Sequence, residues 1–146
     1  YLGDDVLKIG VHIRRGDHLI KEKMDFGHSI ADADYIEKAM NFFKNKYKHK
    51  RLLYIVCTDD HKWSKQTIKS PNVIFSKDYT KEPAVDMAIL SLCDHSIITV
   101  GTFGWWSAWL ANGTTVYYSG WPRPLSLLEY QTDKKQYFPS HWIPLP

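Results

Sequence analysis

The residues best suited to chemistry are Val11-His12-Ile13-Arg14-Arg15-Gly16-Asp17. Two adjacent arginines, a glycine and an acid end an apolar run that begins at Val6. Arginine's planar fork matches phosphate or carboxylate bidentately, and glycine lets a backbone turn or approach a ligand closely. The stretch therefore predicts a strand end whose loop grips a diphosphate. The competing arrangement is a pair of surface arginines bridged to Asp17 or Asp4. Neighbours in an extended segment point to opposite faces. One arginine should then face a ligand crevice, and the other the sheet or a partner such as Asp17.

A second candidate is Gly101-Thr102-Phe103-Gly104, between an apolar run and the helical stretch Trp105 to Ala111. A helix N-terminus offers free N–H groups and a positive dipole end, which favour an anion. The spacing is neither GxGxxG nor that of a P-loop. A tight turn accounts for it alone; with the arginine pair it makes a diphosphate clamp. Asp59, Asp60 and Asp86 are candidates for base or ribose recognition, because carboxylates accept from hydroxyls and from guanine N–H groups. For at least one of Asp59 and Asp60 capping of the next helix is the preferred reading, while Asp86 equally suits an exposed helix position. His12 lies in an apolar run, where a buried, hydrogen-bonded imidazole is the commoner outcome. The seven histidines show no HExxH or other metal spacing, so no metal is expected. The two cysteines, Cys57 and Cys93, form no CxxC and read as small interior residues, with their pairing left open. No nucleophile elbow and no Ser/His/Asp order is visible. Glycosyl transfer needs neither: it needs a neutralised leaving diphosphate and a positioned acceptor hydroxyl, with a carboxylate or imidazole as base.

The elements that must position these groups alternate. Strands are expected at Leu7 to Ile13, Arg51 to Cys57, Asn72 to Phe75, His95 to Val100 and Thr115 to Tyr118. The first helix carries Ala33, Ile36, Ala39, Met40, Phe43 and Tyr47 at core-facing spacing, with Asp32 or Asp34 as its cap. A short helix over His61 to Lys69 follows the second strand. A third helix runs from Pro83 to Cys93 with an expected buried stripe of Val85, Ala88, Ile89 and Leu92. Trp105 and Trp109 share a face of the next helix, with core packing as the default. Asp17 to Asp32 reads as a long polar loop, and the tail 119–146, with five of the seven prolines, as irregular. Strand–helix alternation predicts an α/β fold with a mainly parallel sheet and flanking helices, in which ligands bind beyond the strands' carboxyl ends.

At 146 residues, 44% of them hydrophobic, the chain is one globular domain rather than a disordered one. Net charge is +3, spread over scattered lysines such as Lys44 to Lys50, which argues against a nucleic-acid partner. No run of about 18 apolar residues suggests a membrane span. The chain does not begin with Met and reads as a fragment of something longer, so localisation signals are expected outside it.

Val11 to Asp17 resembles the HxRRxD motif of α1,2-fucosyltransferases, shared more loosely with α1,6- and protein O-fucosyltransferases. Asp86 with Leu92-Cys93-Asp94-His95-Ser96-Ile97, and Ile98 through the GTFGWW run to Ala111, are similar to the galactoside 2-α-L-fucosyltransferases. The resemblance covers nearly the whole chain in matching order. It implies an inverting transfer of L-fucose from GDP-β-L-fucose to the 2-hydroxyl of a terminal galactose, without metal or cofactor. It implies a GT-B-like enzyme of two Rossmann-like halves, of which residues 1–146 would be the single donor-binding domain. A GDP- or glycan-binding module without catalysis, or another fucose linkage, is the alternative.

By motif match an arginine of the pair, Arg15 before Arg14, would hold the diphosphate; Arg14 is also a donor-site candidate, open to a structural pairing with an acid. His12 and Asp86 would lie near the guanosine, and Thr102, Phe103 and Gly104 near the phosphates or nucleoside, with Asp59 a further donor-site candidate. Asp17, or Glu22 after it, is the nearest candidate base; Asp17 equally suits orienting an arginine. The resemblance also implies a Golgi membrane enzyme facing the lumen, attached through an anchor outside this chain. Asn112-Gly113-Thr114 reads first as a helix stop and turn, and is also a glycosylation sequon compatible with that compartment.

Overall fold

A computed structural model describes residues 5–146. Asp4, one of the acids expected to pair with the arginines, lies outside the described residues. Six strands form one parallel sheet: β1 (Val6–Ile13), β2 (Arg51–Thr58), β3 (Val73–Phe75), β4 (His95–Ile98), β5 (Thr115–Tyr118) and β6 (Ile143–Leu145). Their order is β3-β2-β1-β4-β5-β6, with every neighbouring pair parallel. This is the doubly wound Rossmann order, which reverses between β1 and β4 and opens a crevice there.

Helices cover both faces, so the central strands bury on both sides. Alternation along β1 divides them. Ile9, Val11 and Ile13 point to the face covered by α2 (Ala33–Lys46), where Tyr35, Ile36, Ala39, Met40 and Phe43 pack on them. Gly10 and His12 point to the face covered by α4 (Pro83–Ser91) and α5 (Thr102–Ala111). Gly10 there meets Leu90 and Cys93, and His12 meets Gly104. Asp32 caps α2 by accepting from Tyr35 N at 2.9 Å. Ala33, expected in its stripe, is exposed; Tyr35 takes the buried place and donates to the Ile98 carbonyl at 2.6 Å.

Three other expectations are corrected. In α4 the inward residue is Leu90, while Val85 and Leu92 are 42% and 75% exposed. That helix is apolar almost all round, so its sequence carries little rotational information. The stretch Asp17 to Asp32 is not a bare loop. It holds a 3₁₀ turn over Gly16–Leu19 and the short α1 (Lys21–Phe26), stopped by Gly27. Six residues are too few to show a period.

The tail 119–146 is ordered. It contributes α6 (Leu127–Gln131), α7 (Lys134–Tyr137) and β6, and buries Trp121, Phe138 and Trp142 against Ile98, Val100 and Ala108. Ser126 and Asp133 cap its two helices. The tail also grips α1: Arg123 N donates to the Gly27 carbonyl at 2.9 Å, and Ser29 Oγ to the Gly120 carbonyl at 2.7 Å. The remaining helix, α3 (His61–Thr67), follows β2. Both cysteines are buried free thiols, and burial pushes Cys57 up to about 12 and Cys93 to about 11. Among the described residues, no helix is long and apolar enough to cross a membrane.

Candidate functional site

The crevice opens where β1 and β4 part. Thr99 holds the two strand ends together: its backbone N donates to the His12 carbonyl at 3.2 Å, and its Oγ1 accepts from Arg14 N at 2.9 Å. Beyond them lie two adjoining lobes that share His12, Arg14 and Phe103. One, of about 230 Å3, is also lined by His18, Val100, Gly101 and Thr102. The other, of about 170 Å3, is also lined by Cys57, Thr58, Asp59, Lys77, Lys81, Pro83 and Asp86. A larger cavity of about 400 Å3 runs along α2 beside Thr67 to Ser70, and none of its lining side chains has a buried polar atom lacking a partner.

The arginines divide as neighbours on a strand should, but the one facing the crevice is Arg14, also a donor-site candidate, and not Arg15, the one the motif match favoured. Arg14 continues the His12 side of β1 and lines both lobes, with its side chain 40% exposed. Its Nε donates to Asp17 Oδ1 at 2.9 Å, its Nη2 lies 2.8 Å from the same oxygen, and Nε is 3.3 Å from Asp59 Oδ2. Arg15 turns to the other face. Its guanidinium lies 3.7 Å over the Trp63 ring, its Nε is 3.3 Å from Asp60 Oδ2, and its Nη1 donates to the Ala31 carbonyl at 3.2 Å. That side chain is only 12% exposed, so Arg15 braces the fold.

The acids likewise take distinct tasks. Asp59 accepts from the backbone N–H groups of both Arg15 and Gly16 at 2.9 Å, clamping the loop; its oxygens are committed within the protein although it lines the crevice. Asp60 caps α3, accepting from Trp63 N at 3.1 Å. Asp17 pairs with Lys23 and Arg14, and these cations hold its carboxyl down at about 2. A carboxylate so stabilised is a weak base near neutral pH. Asp86 faces the smaller lobe, and its Oδ1 is buried without a hydrogen-bond partner. An unpaired buried acceptor beside a crevice is chemically unfinished.

His12 stacks on Phe103, with ring centroids 5.1 Å apart, and its Nδ1 has no partner. Burial lowers its pKa to about 4, so the ring is neutral at pH 7. A Cβ on Gly104 would stand 2.6 Å from that Nδ1; Gly104 is therefore a close-packing position that seats α5 on β1. Gly101, at φ +90°, adopts a conformation that side chains avoid, and it delivers the chain into α5. No side chain caps α5 there, so the first-turn N–H groups stay open beside Thr102 and Phe103 in the crevice wall.

Residues 4–145 match the pattern described as glycosyl transferase family 11. The chain belongs to that family. It is 34% identical over 138 residues to the galactoside 2-α-L-fucosyltransferase SEC1 of Bos taurus, covering 92% of this chain and 37% of that protein. Against galactoside α-(1,2)-fucosyltransferase 1 of Bos taurus the figures are 36% over 119 residues, 80% and 32%. Against galactoside α-(1,2)-fucosyltransferase 2 of Rattus norvegicus they are 32% over 141 residues, 94% and 39%. The chain thus spans less than two fifths of these relatives. Among solved structures, the α-1,6-fucosyltransferase NodZ soaked with GDP-fucose superposes with a TM-score of 0.52 at 18% identity, over 81% of this chain and 40% of that one. That likeness confirms the fold.

In this family 11 chain the residues brought together are His12, Arg14, Asp59, Asp86, Thr102 and Phe103; Arg15 stands outside the crevice. Glu22 is exposed in the first turn of α1. Asn112, in a left-handed conformation at the end of α5, is exposed. Sequence reasoning missed His18, Lys77, Lys81 and Thr99. His18 is 7% exposed, and its ring meets His28 edge-on at 4.7 Å. Position just after the motif is the one signal that pointed to His18. Among the described residues, no cluster of His, Cys, Asp and Glu suited to a metal is present.

Proposed function

We propose that this chain is the GDP-fucose-binding half of an inverting galactoside 2-α-L-fucosyltransferase of GT-B-like organisation. One observation carries the reading. Arg14, the open N-terminus of α5 and the unpartnered Asp86 Oδ1 surround a single crevice at the point where strand order reverses. In this reading the diphosphate occupies the larger lobe. Arg14 and the α5 N–H groups stabilise the charge that develops on the leaving phosphate as the C1–O bond breaks. The guanosine occupies the smaller lobe, flanked by Phe103 and the neutral His12, and Asp86 accepts from its N1–H and N2–H groups. The names of the relatives support the fucosyl donor and the galactose acceptor.

Asp17 then positions Arg14. Glu22, the other candidate base, is exposed, has no ion-pair partner among the described residues and lines neither lobe. The same reading places the enzyme at the lumenal side of the Golgi membrane, anchored by a segment outside this chain, with exposed Asn112 open to glycosylation. Calorimetry of the complete protein with GDP, GDP-fucose and UDP, followed by transfer to galactose-terminated glycans, tests it. Equal affinity for UDP removes the guanine assignment. Tight GDP binding without transfer to any such glycan replaces the enzyme with a binding module.

A further inference from the structure

The smaller lobe holds two cations that the reading above leaves without a task. Lys77, in the 3₁₀ turn Ser76–Asp78, and Lys81, two residues before α4, both line it. Among the described residues neither meets a carboxylate, whereas nearby Lys65 is 2.9 Å from Asp78. Their loop is braced: Tyr79 N and Thr80 N donate to the Ser76 carbonyl at 2.8 and 2.9 Å, and Glu82 N donates to Thr80 Oγ1 at 3.1 Å. The lobe is therefore lined by the carboxylate side chain of Asp86, two lysines and the aromatic ring of Phe103.

We propose that Lys77 and Lys81 are specificity-determining residues that donate to the O6 and N7 acceptors of a guanine whose N1–H and N2–H groups bind Asp86. The inference rests on the donor-site reading and adds the opposite edge of the base. Guanine presents donors on one edge and acceptors on another, and lysine is a recurrent partner of O6 and N7. Adenine inverts the pattern: its N1 acceptor would face the carboxylate and its amino group the ammoniums. A neutral uracil ring is too small to reach both sets. The diphosphate already has Arg14 and the α5 N-terminus in the other lobe, across His12 and Phe103.

The test is calorimetry of the complete protein and of Lys77→Ala, Lys81→Ala and the double variant. The probes are GDP, ADP, UDP, IDP, 6-thio-GDP and 7-deaza-GDP. Both lysines sit on an exposed turn, and thermal unfolding should not move. The double variant should lose about tenfold to a hundredfold in GDP affinity, the scale of hydrogen bonds to a charged group. Its preference for GDP over ADP should shrink by a similar factor. The cost of weakening O6 (6-thio) or removing N7 (7-deaza) should vanish in the variant that lost the matching lysine. The cost of IDP, which lacks only the N2 group facing Asp86, should stay as in the wild type. An equal loss for GDP, ADP and UDP would assign the lysines to the phosphates and overturn the proposal; no loss would do the same. A wild type that binds GDP no better than UDP removes the donor-site reading and this one with it.

Discussion

Arg14 and Arg15 are adjacent and chemically identical, yet their replacement by alanine should give opposite results. Arg15→Ala removes a guanidinium stacked 3.7 Å over Trp63 and leaves the Ala31 carbonyl and Asp60 without their partner. The lost cation–π contact is worth about 0.5–2 kcal/mol, and an orphaned buried acceptor about 1–3 kcal/mol. Together the loss is roughly 1.5–5 kcal/mol, which for a domain of this size lowers the melting temperature by roughly 5–15 °C. Arg14→Ala breaks ion pairs of a side chain that is 40% exposed; solvent screening leaves them worth about 0–1 kcal/mol. Its melting temperature should stay within a few degrees. GDP affinity should instead fall by at least about a hundredfold, the scale of two lost charge-assisted bonds. Thermal unfolding and GDP calorimetry of both variants read the two effects separately. If Arg14→Ala melts far lower while still binding GDP, and Arg15→Ala stays stable while losing it, the division of labour argued from the strand's alternation is wrong.

Asp59→Ala should uncouple the Arg15 and Gly16 N–H groups and loosen the loop, lowering GDP affinity about tenfold while shifting the melting temperature by only a few degrees; calorimetry and a melt check both. Gly104→Ala should place a methyl 2.6 Å from His12 Nδ1 and cost about 1–3 kcal/mol of overpacking, read by urea unfolding. Acid should destabilise the fold in two stages. His12, lowered to about 4 by burial, binds its proton in the unfolded chain first, so stability falls as pH drops from about 6.5 to 4, with a slope of up to about 1.4 kcal/mol per pH unit. His18, His28 and His95 are shifted in the same direction and add to it. Asp17, held at about 2, contributes stability that is present above pH 3.8 and lost as pH falls through 2, so Asp17→Asn should flatten the lower stage of a urea-unfolding series.

The candidate base shows how the arginine loop constrains its own acid. Asp17 is the carboxylate nearest the arginines, and it is held by the cations that make it a poor proton acceptor. Proximity in sequence to an arginine pair favours an orienting acid, since the charge that draws the carboxylate in also lowers its basicity.

Sequence alone determined the alternation of strands and helices, the parallel sheet, and the two strand ends that meet at the crevice. Those rest on local signals: apolar runs, a capping Asp32, and a glycine pair between strand and helix. It also supplied the rule that neighbouring residues face opposite sides, and His12 and Arg14, two apart, share one. What it lacked was which face of β1 carries the crevice. That depends on α4 and α5 packing on the Gly10 and His12 side while α2 takes Ile9, Val11 and Ile13. Only this long-range choice turned Arg14 to the crevice and Arg15 onto Trp63. The tail was illegible for the same reason: Trp121, Phe138 and Trp142 keep no period, and their order comes from a surface formed by β4, β5 and α5. Leu90 could not be told from Val85 and Leu92 along an almost wholly apolar helix, whereas Asp86, its one charged residue, stood out as a candidate from the sequence. Burial, not periodicity, decided which residues of that helix face the sheet and crevice, because only the packed neighbours break the helix's rotational symmetry.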